Sequence, residues 1–357
     1  MEGIAFAGEE VRKHSKEERR AAPRVADMVI KKAINDPENL VREIAEGVVF
    51  ASHGRVRLLE DLPVLVRSTI EPGKVGIVVG GGSGHEPMYQ GLIGPGYADA
   101  VACGNMFAAP TPDVILAATR EADQGKGVLY LQANYAGDNM NYEIAAELAA
   151  DEGFTTRTVR TGEDVSMPPE LGRRGLAGSF FTLKISGAAC GEGVDLDQAA
   201  AVAQRVADNL RSLSVAFSPG SLPDTGEKTF EIADDEIEVG MGVHGEKGVA
   251  TLKLAKADPL TDLMIDKLAG DFPLKAGDRV ALLVNDMGAT TLMELYVVTR
   301  RAHQKLAEMG VTVVDTWIGP YCTTQEMAGF SLTLLRTDPE MERLLARPAS
   351  NESFLRP

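Results

Sequence analysis

The stretch from Val75 to Asp113, VGIVVGGGSGHEPMYQGLIGPGYADAVACGNMFAAPTPD, constrains the fold more than any other part of this chain. Val75–Val79 is an uncharged apolar run of the kind that forms a strand buried on both faces. It breaks into Gly80-Gly81-Gly82-Ser83-Gly84 and then delivers His85-Glu86-Pro87. A second, mostly apolar run, Ala98–Cys103, reads as another strand. Thr111-Pro112-Asp113 has the pattern of a helix start, with Thr as N-cap, Pro at the first helical position and Asp in the first turn. A His and an Asp thus each follow an apolar strand, where open α/β sheets place their ligand-binding groups.

The glycines allow a sharp turn and expose backbone N–H groups to a small polar ligand. No Lys-Ser/Thr follows them, so the loop is not a P-loop. His-Glu-Pro stands where the long helix of a dinucleotide fingerprint would begin. Such a turn is also compatible with a purely structural role. The His within it favours a site, because a loop His on a rigid scaffold is seldom core filler.

The remainder of the chain repeats this alternation. Asp36-Pro37-Glu38 caps a helix with Leu40, Val41, Ile44, Val48 and Val49 on its apolar face. Val64–Val66 fits either a helix or a strand leading to the turn at Pro72-Gly73. Then follow a helix over Pro112–Gln124, a strand over Val128–Leu131, a loop over Asn134–Asn139, a helix over Met140–Asp151 and a strand over Thr155–Val159. This order predicts a mostly parallel sheet. Two helices, Ala177–Ala189 and Leu196–Leu213, precede a short strand at Val215–Phe217 and a Ser/Pro/Gly-rich crossover at Phe217–Gly226. Thr229–Gly240 suggests a strand or hairpin and leads into Met241-Gly242-Val243-His244-Gly245-Glu246-Lys247-Gly248, a second glycine-framed His on a turn. Helices over Asp258–Ala269, Thr291–Met309 and Pro339–Leu345 alternate with strands over Arg279–Val284, Val311–Trp317 and Phe330–Leu335. The expected organisation is α/β: an N-terminal extension (1–27) and two α/β domains, 28–185 and 186–357, with mostly parallel or mixed sheets and a ligand cleft between them.

Composition narrows the partners. The chain has 357 residues and a formal charge of −16, which disfavours nucleic acid and anionic membrane. Aromatic residues make up 5%, too few for base-stacking surfaces. Cys103, Cys190 and Cys322 have no disulfide-framework or zinc spacing and read as reduced thiols of a cytoplasmic protein. No apolar run is long enough to span a membrane, and the N-terminus lacks the apolar core of a signal peptide.

Of the five histidines, His14 lies in a charged arm, His303 on a helix surface and His53 at a helix end. Only His85 and His244 sit in glycine-framed loops. Structural hydrogen bonding and a ligand site are both open for each.

These blocks together resemble the substrate-binding K subunit of dihydroxyacetone kinase. The resemblance rests on GGGSGHEP (Gly80–Pro87), PTPD (Pro110–Asp113), NYAGDNMN (Asn134–Asn141), GRRG (Gly172–Gly175), GMGVHGEKG (Gly240–Gly248), VNDMGAT (Val284–Thr290) and IGPYCTTQEMAGFS (Ile318–Ser331), in the family's order. It implies a homodimer with a phosphotransferase role. His244 would add covalently to the C2 carbonyl of a short ketose, giving a hemiaminal that polyols cannot form. His85 would protonate or orient the adduct. Asp113 would accept the proton of the attacking hydroxyl, a position that also allows simple stabilisation of a helix N-terminus. Gly82, Ser83 and Gly84 would contact the ligand. Ala108-Ala109 stands where the family often has Thr-Ser, which leaves a four-carbon ketose such as erythrulose as an alternative. The chain shows no P-loop and no separate Asp cluster for Mg²⁺. By resemblance the nucleotide would sit with Mg²⁺ on a partner L subunit, either as ATP or as ADP rephosphorylated by a phosphotransferase system. A ketose-sensing regulatory protein is the reading from a different class.

Overall fold

The computed structural model describes residues 31–351 and 353–356. The charged arm over residues 1–27, with His14, lies outside the described residues.

The first half of the chain builds α1 (Leu40–Ala51), β1 (Val56–Leu58), β2 (Val64–Arg67), β3 (Gly76–Ser83), β4 (Ala100–Met106), α2 (Pro112–Ala122), β5 (Val128–Ala133), α3 (Ala136–Asp151) and β6 (Thr156–Thr161). The six strands form one sheet in the order β1-β2-β4-β3-β5-β6. β3 pairs in parallel with both β4 and β5, and β5 with β6, while β1 and β2 add antiparallel strands at one edge. Val64–Val66 is therefore strand. From β3 the chain goes to β4 on one side, and through α2 to β5 on the other. The order thus reverses about β3, and open α/β sheets bind ligands in the crevice at the carboxyl ends of strands flanking such a reversal.

The second half builds α4 (Ser179–Gly191), α5 (Leu196–Asp208), β7 (Leu210–Ser218), β8 (Glu236–Val239), β9 (Ala250–Lys253), α6 (Ala257–Asp271), β10 (Arg279–Asp286), α7 (Leu292–Glu308), β11 (Thr312–Gly319), β12 (Ala328–Arg336) and α8 (Pro339–Leu345). Its sheet runs β11-β10-β12-β7-β8-β9 and is antiparallel except for β10–β11. Both sheets are mixed.

Three elements differ most from the sequence expectation. The glycines expected to form a turn after Val79 continue β3 as strand through Ser83, paired with β4, and the turn begins at Gly84. The helix expected to run from Leu196 to Leu213 stops at Asp208. Leu210-Arg-Ser-Leu-Ser-Val-Ala-Phe-Ser218 instead lies against β12, where its ladder hydrogen bonds and burial outweigh local helix preference. The loop expected over Asn134–Asn139 is mostly helix. Tyr135 is the extended N-cap residue, and Asp138 falls in the first turn of α3, where a carboxylate suits the helix dipole.

One apolar core lies between the two sheets. Ile77, Val79, Val101, Leu129 and Leu131 of the first sheet share it with Phe180, Leu183, Ala199 and Val206 of α4 and α5, and with Ala281, Leu283 and Leu335 of the second. Residue 185, where the sequence reading divides the domains, lies within α4 in this shared layer. Helices α2 and α3 cover the outer face of the first sheet, and α6 and α7 that of the second. Among the described residues no helix is long and apolar enough to cross a membrane.

Candidate active site

Three loops leave the carboxyl ends of β3, β4 and β5 at the same edge of the first sheet, bringing His85, Phe107 and the pair Tyr135 and Asp138 together. The second sheet contributes His244 from the β8–β9 loop and the segment after β11. The imidazoles of His85 and His244 have centroids 4.9 Å apart at 70°. Phe107 and Tyr135 also stand edge-on to His244, at 5.5 Å and 4.9 Å. A cavity of ≈ 30 Å³ lies among Gly81, Gly82, His85, Tyr135, Asp138 and His244.

The hydrogen bonds fix the imidazole tautomers. His244 Nδ1 lies 2.9 Å from Glu246 Oε1, and the His244 backbone N–H donates to Glu246 Oε2 at 2.9 Å. Burial pushes the Glu246 carboxyl up, but the hydrogen bonds and charge of His244 outweigh this and leave it lowered to about 2. An ionised carboxylate can only accept, so His244 Nδ1 carries the proton, and in the neutral imidazole Nε2 keeps its lone pair. Gly242 permits this arrangement, because a Cβ there would fall 2.1 Å from Glu246 Oε2.

His85 is buried, and its Nδ1 lies 2.8 Å from the Thr323 carbonyl oxygen. A carbonyl accepts, so Nδ1 again holds the proton. Burial, then the nearby His244, lower the His85 pKa to about 3, so the ring is neutral near pH 7. Its Nε2 is buried without a hydrogen-bond partner among the described residues. Gly84, at φ +103°, makes the turn that presents this ring, and its N–H donates to the Glu86 carboxylate.

The carboxylate that the fold delivers to the cavity is Asp138. Burial raises its pKa to about 6, against the smaller opposing charge of His244, and its Oδ1 is buried without a partner among the described residues. Asp113 is elsewhere. It is exposed in the first turn of α2 and does not line the cavity, so its placement fits the helix-dipole role alone. The sequence signal for Asp138 was its place in a polar loop after an apolar strand, the same signal that marks His85. The helix-start pattern at Asp113 competed with it.

Among the other expected contacts, Gly82 lines the cavity. The Ser83 hydroxyl is occupied internally, donating to the Gly104 carbonyl at 2.7 Å and accepting from Gln90 Nε2 at 2.8 Å. Gly84 carries the turn. Phe107, Tyr135, Glu246 and Thr323 were not singled out from sequence. Glu246 alone had a signal, two residues after His244. The remaining histidines stand apart: His53 follows α1 at φ +50°, and His303 Nε2 lies 2.9 Å from Thr316 Oγ1. All three cysteines are buried and unpaired.

Residues 46–353 match the Dak1 domain model. The chain belongs to the Dak1 domain family. It is 41% identical over 314 residues, 87% of its length and 95% of the relative's, to the PTS-dependent dihydroxyacetone kinase 1, dihydroxyacetone-binding subunit DhaK, of Listeria innocua serovar 6a. It is 37% identical over 332 residues, 90% of its length and 58% of the relative's, to an L-erythrulose 1-kinase of Mycolicibacterium smegmatis. The structure of the dihydroxyacetone kinase of C. freundii superposes with a TM-score of 0.85 at 30% identity, covering 92% of this chain and 60% of that one. The Dak1 match spans the loops that carry His85, Asp138, His244 and Glu246.

Proposed function

We propose that this chain is the ketose-binding subunit of a dihydroxyacetone kinase and holds its substrate as a hemiaminal on His244. The observation that carries this reading is the hold of the Glu246 carboxylate on His244 Nδ1, which leaves Nε2 of the neutral ring as the nucleophile beside Asp138 and His85 in a cavity suited to a small ligand. The Nε2 lone pair forms a bond to C2 of the ketone, and the carbonyl π pair moves to oxygen. That oxygen takes a proton from solvent. The positive charge left on the imidazole is balanced by Glu246. Asp138, ionised above its pKa of about 6, accepts the proton of a terminal hydroxyl as the hydroxyl oxygen attacks phosphorus. A neutral His85 with its proton committed to Thr323 accepts a hydrogen bond at Nε2, so it orients the adduct rather than protonating it.

The phosphoryl group is supplied by a nucleotide with Mg²⁺ on a partner L subunit. The PTS dependence and the word subunit in the name of the Listeria relative support a partner that supplies the phosphoryl group, and a structure of the C. freundii dihydroxyacetone kinase in complex with AMP-PNP and Mg²⁺ supports a nucleotide donor. The donor stabilises charge on the transferring group, and this chain supplies the acceptor and its base. A homodimer in the cytoplasm completes the reading, and three unpaired thiols fit a reducing compartment. A four-carbon ketose is the second reading, favoured by 37% identity to an erythrulose kinase. Asp138 in the cavity favours a kinase over a ketose sensor, because sensing needs no proton acceptor at the hydroxyl.

The test is a crystal soak with dihydroxyacetone and with erythrulose, paired with kinase assays with and without a matched L subunit. Continuous density from His244 Nε2 to C2, and product only with the L subunit, are expected. Full-occupancy ligand at van der Waals distance from His244 would overturn the hemiaminal. Robust product from the chain alone, free of host kinase, would overturn the need for a partner.

A further inference from the structure

The two histidines belong to different sheets, and one short segment touches both of their loops. We propose that Thr323-Thr324, anchored by Asn285, are positioning residues that set the spacing of the His85–His244 pair and the tautomer of His85. Thr323 N–H donates to the His85 carbonyl at 3.1 Å, and Thr323 Oγ1 donates to the Glu86 carbonyl at 2.9 Å. The Thr323 carbonyl accepts the His85 Nδ1 proton at 2.8 Å. The next residue reaches the other loop: Thr324 Oγ1 donates to the carbonyl of Val243, the neighbour of His244, at 2.8 Å.

The segment is itself tied down. Buried Asn285, at the end of β10, accepts the N–H groups of Tyr321 and Cys322 on Oδ1, both at 2.8 Å, and donates from Nδ2 to the Cys322 carbonyl at 2.9 Å. The Thr324 N–H donates to the Met287 carbonyl at 2.8 Å, and Gln325 N–H and Nε2 reach the Gly84 carbonyl at 3.3 Å and 3.2 Å. The turn therefore keeps a fixed shape, and the carbonyl it presents selects the Nδ1–H form of His85. Thr324 is fully buried, so its hydroxyl serves the Val243 carbonyl and not solvent. A loose clasp would displace His244 Nε2 from the ketone carbon, and misplacement by about 1 Å costs on the order of 10²-fold in rate.

This inference rests on the proposed hemiaminal for its catalytic consequence, while its tautomer component stands without any ligand. Long-range ¹⁵N–¹H spectra of the ligand-free chain should show His85 protonated on Nδ1. Asn285→Ala should give a mixture of tautomers at His85. Thr324→Val, which keeps shape and removes the hydroxyl, should slow ketose adduct formation about tenfold, and Thr324→Ser should restore it. A folded Asn285→Ala variant with an unchanged His85 spectrum, or a Thr324→Val variant with wild-type adduct rate, would overturn the proposal. If the wild-type chain forms no adduct with any ketose, the hemiaminal reading fails, and the His85 spectrum of Asn285→Ala still decides the role of the clasp.

Discussion

His85 and His244 come from loops of different sheets, yet their rings meet at 4.9 Å and 70°. Each ring has its Nδ1 committed, one to the Thr323 carbonyl and the other to the Glu246 carboxylate. In the neutral rings both Nε2 atoms are thereby left as lone-pair centres. The pair differs in surroundings: His85 is buried beside a neutral carbonyl, and His244 is paired with a full negative charge. An imidazole beside an anion is the better one to become cationic, so the covalent role falls to His244 and the accepting role to His85.

Asp138→Asn is expected to retain ketose binding and to lower phosphoryl transfer by about 10² to 10⁴-fold, the usual range for loss of a general base. Asp113→Asn is expected to change turnover less than about twofold, since an exposed first-turn carboxylate is worth only tenths of a kcal/mol to the helix. Steady-state kinetics with the L subunit and an adduct assay on both variants check this. A large loss at Asp113 with none at Asp138 would reverse the assignment.

Glu246→Gln keeps the size of the side chain but removes the charge that holds the proton on His244 Nδ1. An amide oriented to donate would turn the tautomer and occupy the lone pair on the wrong nitrogen. Adduct formation should fall by about 10²-fold or more, as for other orienting carboxylates replaced by amides. Glu246→Asp, which retains the charge at a shorter reach, should lose less. Stopped-flow measurement of adduct formation separates the two variants.

The fold class was legible because apolar runs, glycine turns and helix caps alternate strictly through the chain. The antiparallel character of most of the second sheet was not, since Leu210–Ser218 carries no signal of its pairing direction until β12 lies beside it. His85 and His244 were legible as the two glycine-framed histidines. Asp138 was obscured because Asp113 shows a cleaner local pattern, and whether an α-helix start faces a cavity or solvent is decided by the order of strands. Thr323 acts through its main-chain carbonyl, which no side-chain identity announces.

Asp99 offers a stability test away from the cavity. It is fully buried, pairs with Arg67 at 2.8 Å and Lys74 at 2.6 Å, and accepts the Ile77 N–H at 2.9 Å, at the entry to β3. Asp99→Ala would strand buried Lys74 and an N–H and leave Arg67 with Glu71 alone, and should cost about 3–5 kcal/mol. Urea unfolding should show the loss as a lower midpoint with an unchanged slope.

The pH response of Asp138 links function to stability. Its folded-state pKa of about 6 is raised above the ordinary 3.8, chiefly by burial. The folded chain therefore holds this proton more tightly than the unfolded one, and the site weakens the fold once the carboxyl ionises. The penalty is absent below the unfolded value, grows as pH rises between about 4 and 6, and is complete near pH 7, where it amounts to about 2–3 kcal/mol at most. Asp138→Asn carries no such charge. It should be more stable than wild type at pH 7, and its advantage should vanish by about pH 4. Turnover should move the opposite way, rising with pH through about 6 as the carboxylate becomes available to take the hydroxyl proton. Thermal unfolding of both chains from pH 4 to 8, beside a kcat–pH profile of the wild type with excess L subunit, tests both limbs. A stability difference independent of pH would show that Asp138 does not titrate as a buried carboxyl, and the acid limb of turnover would then need another group.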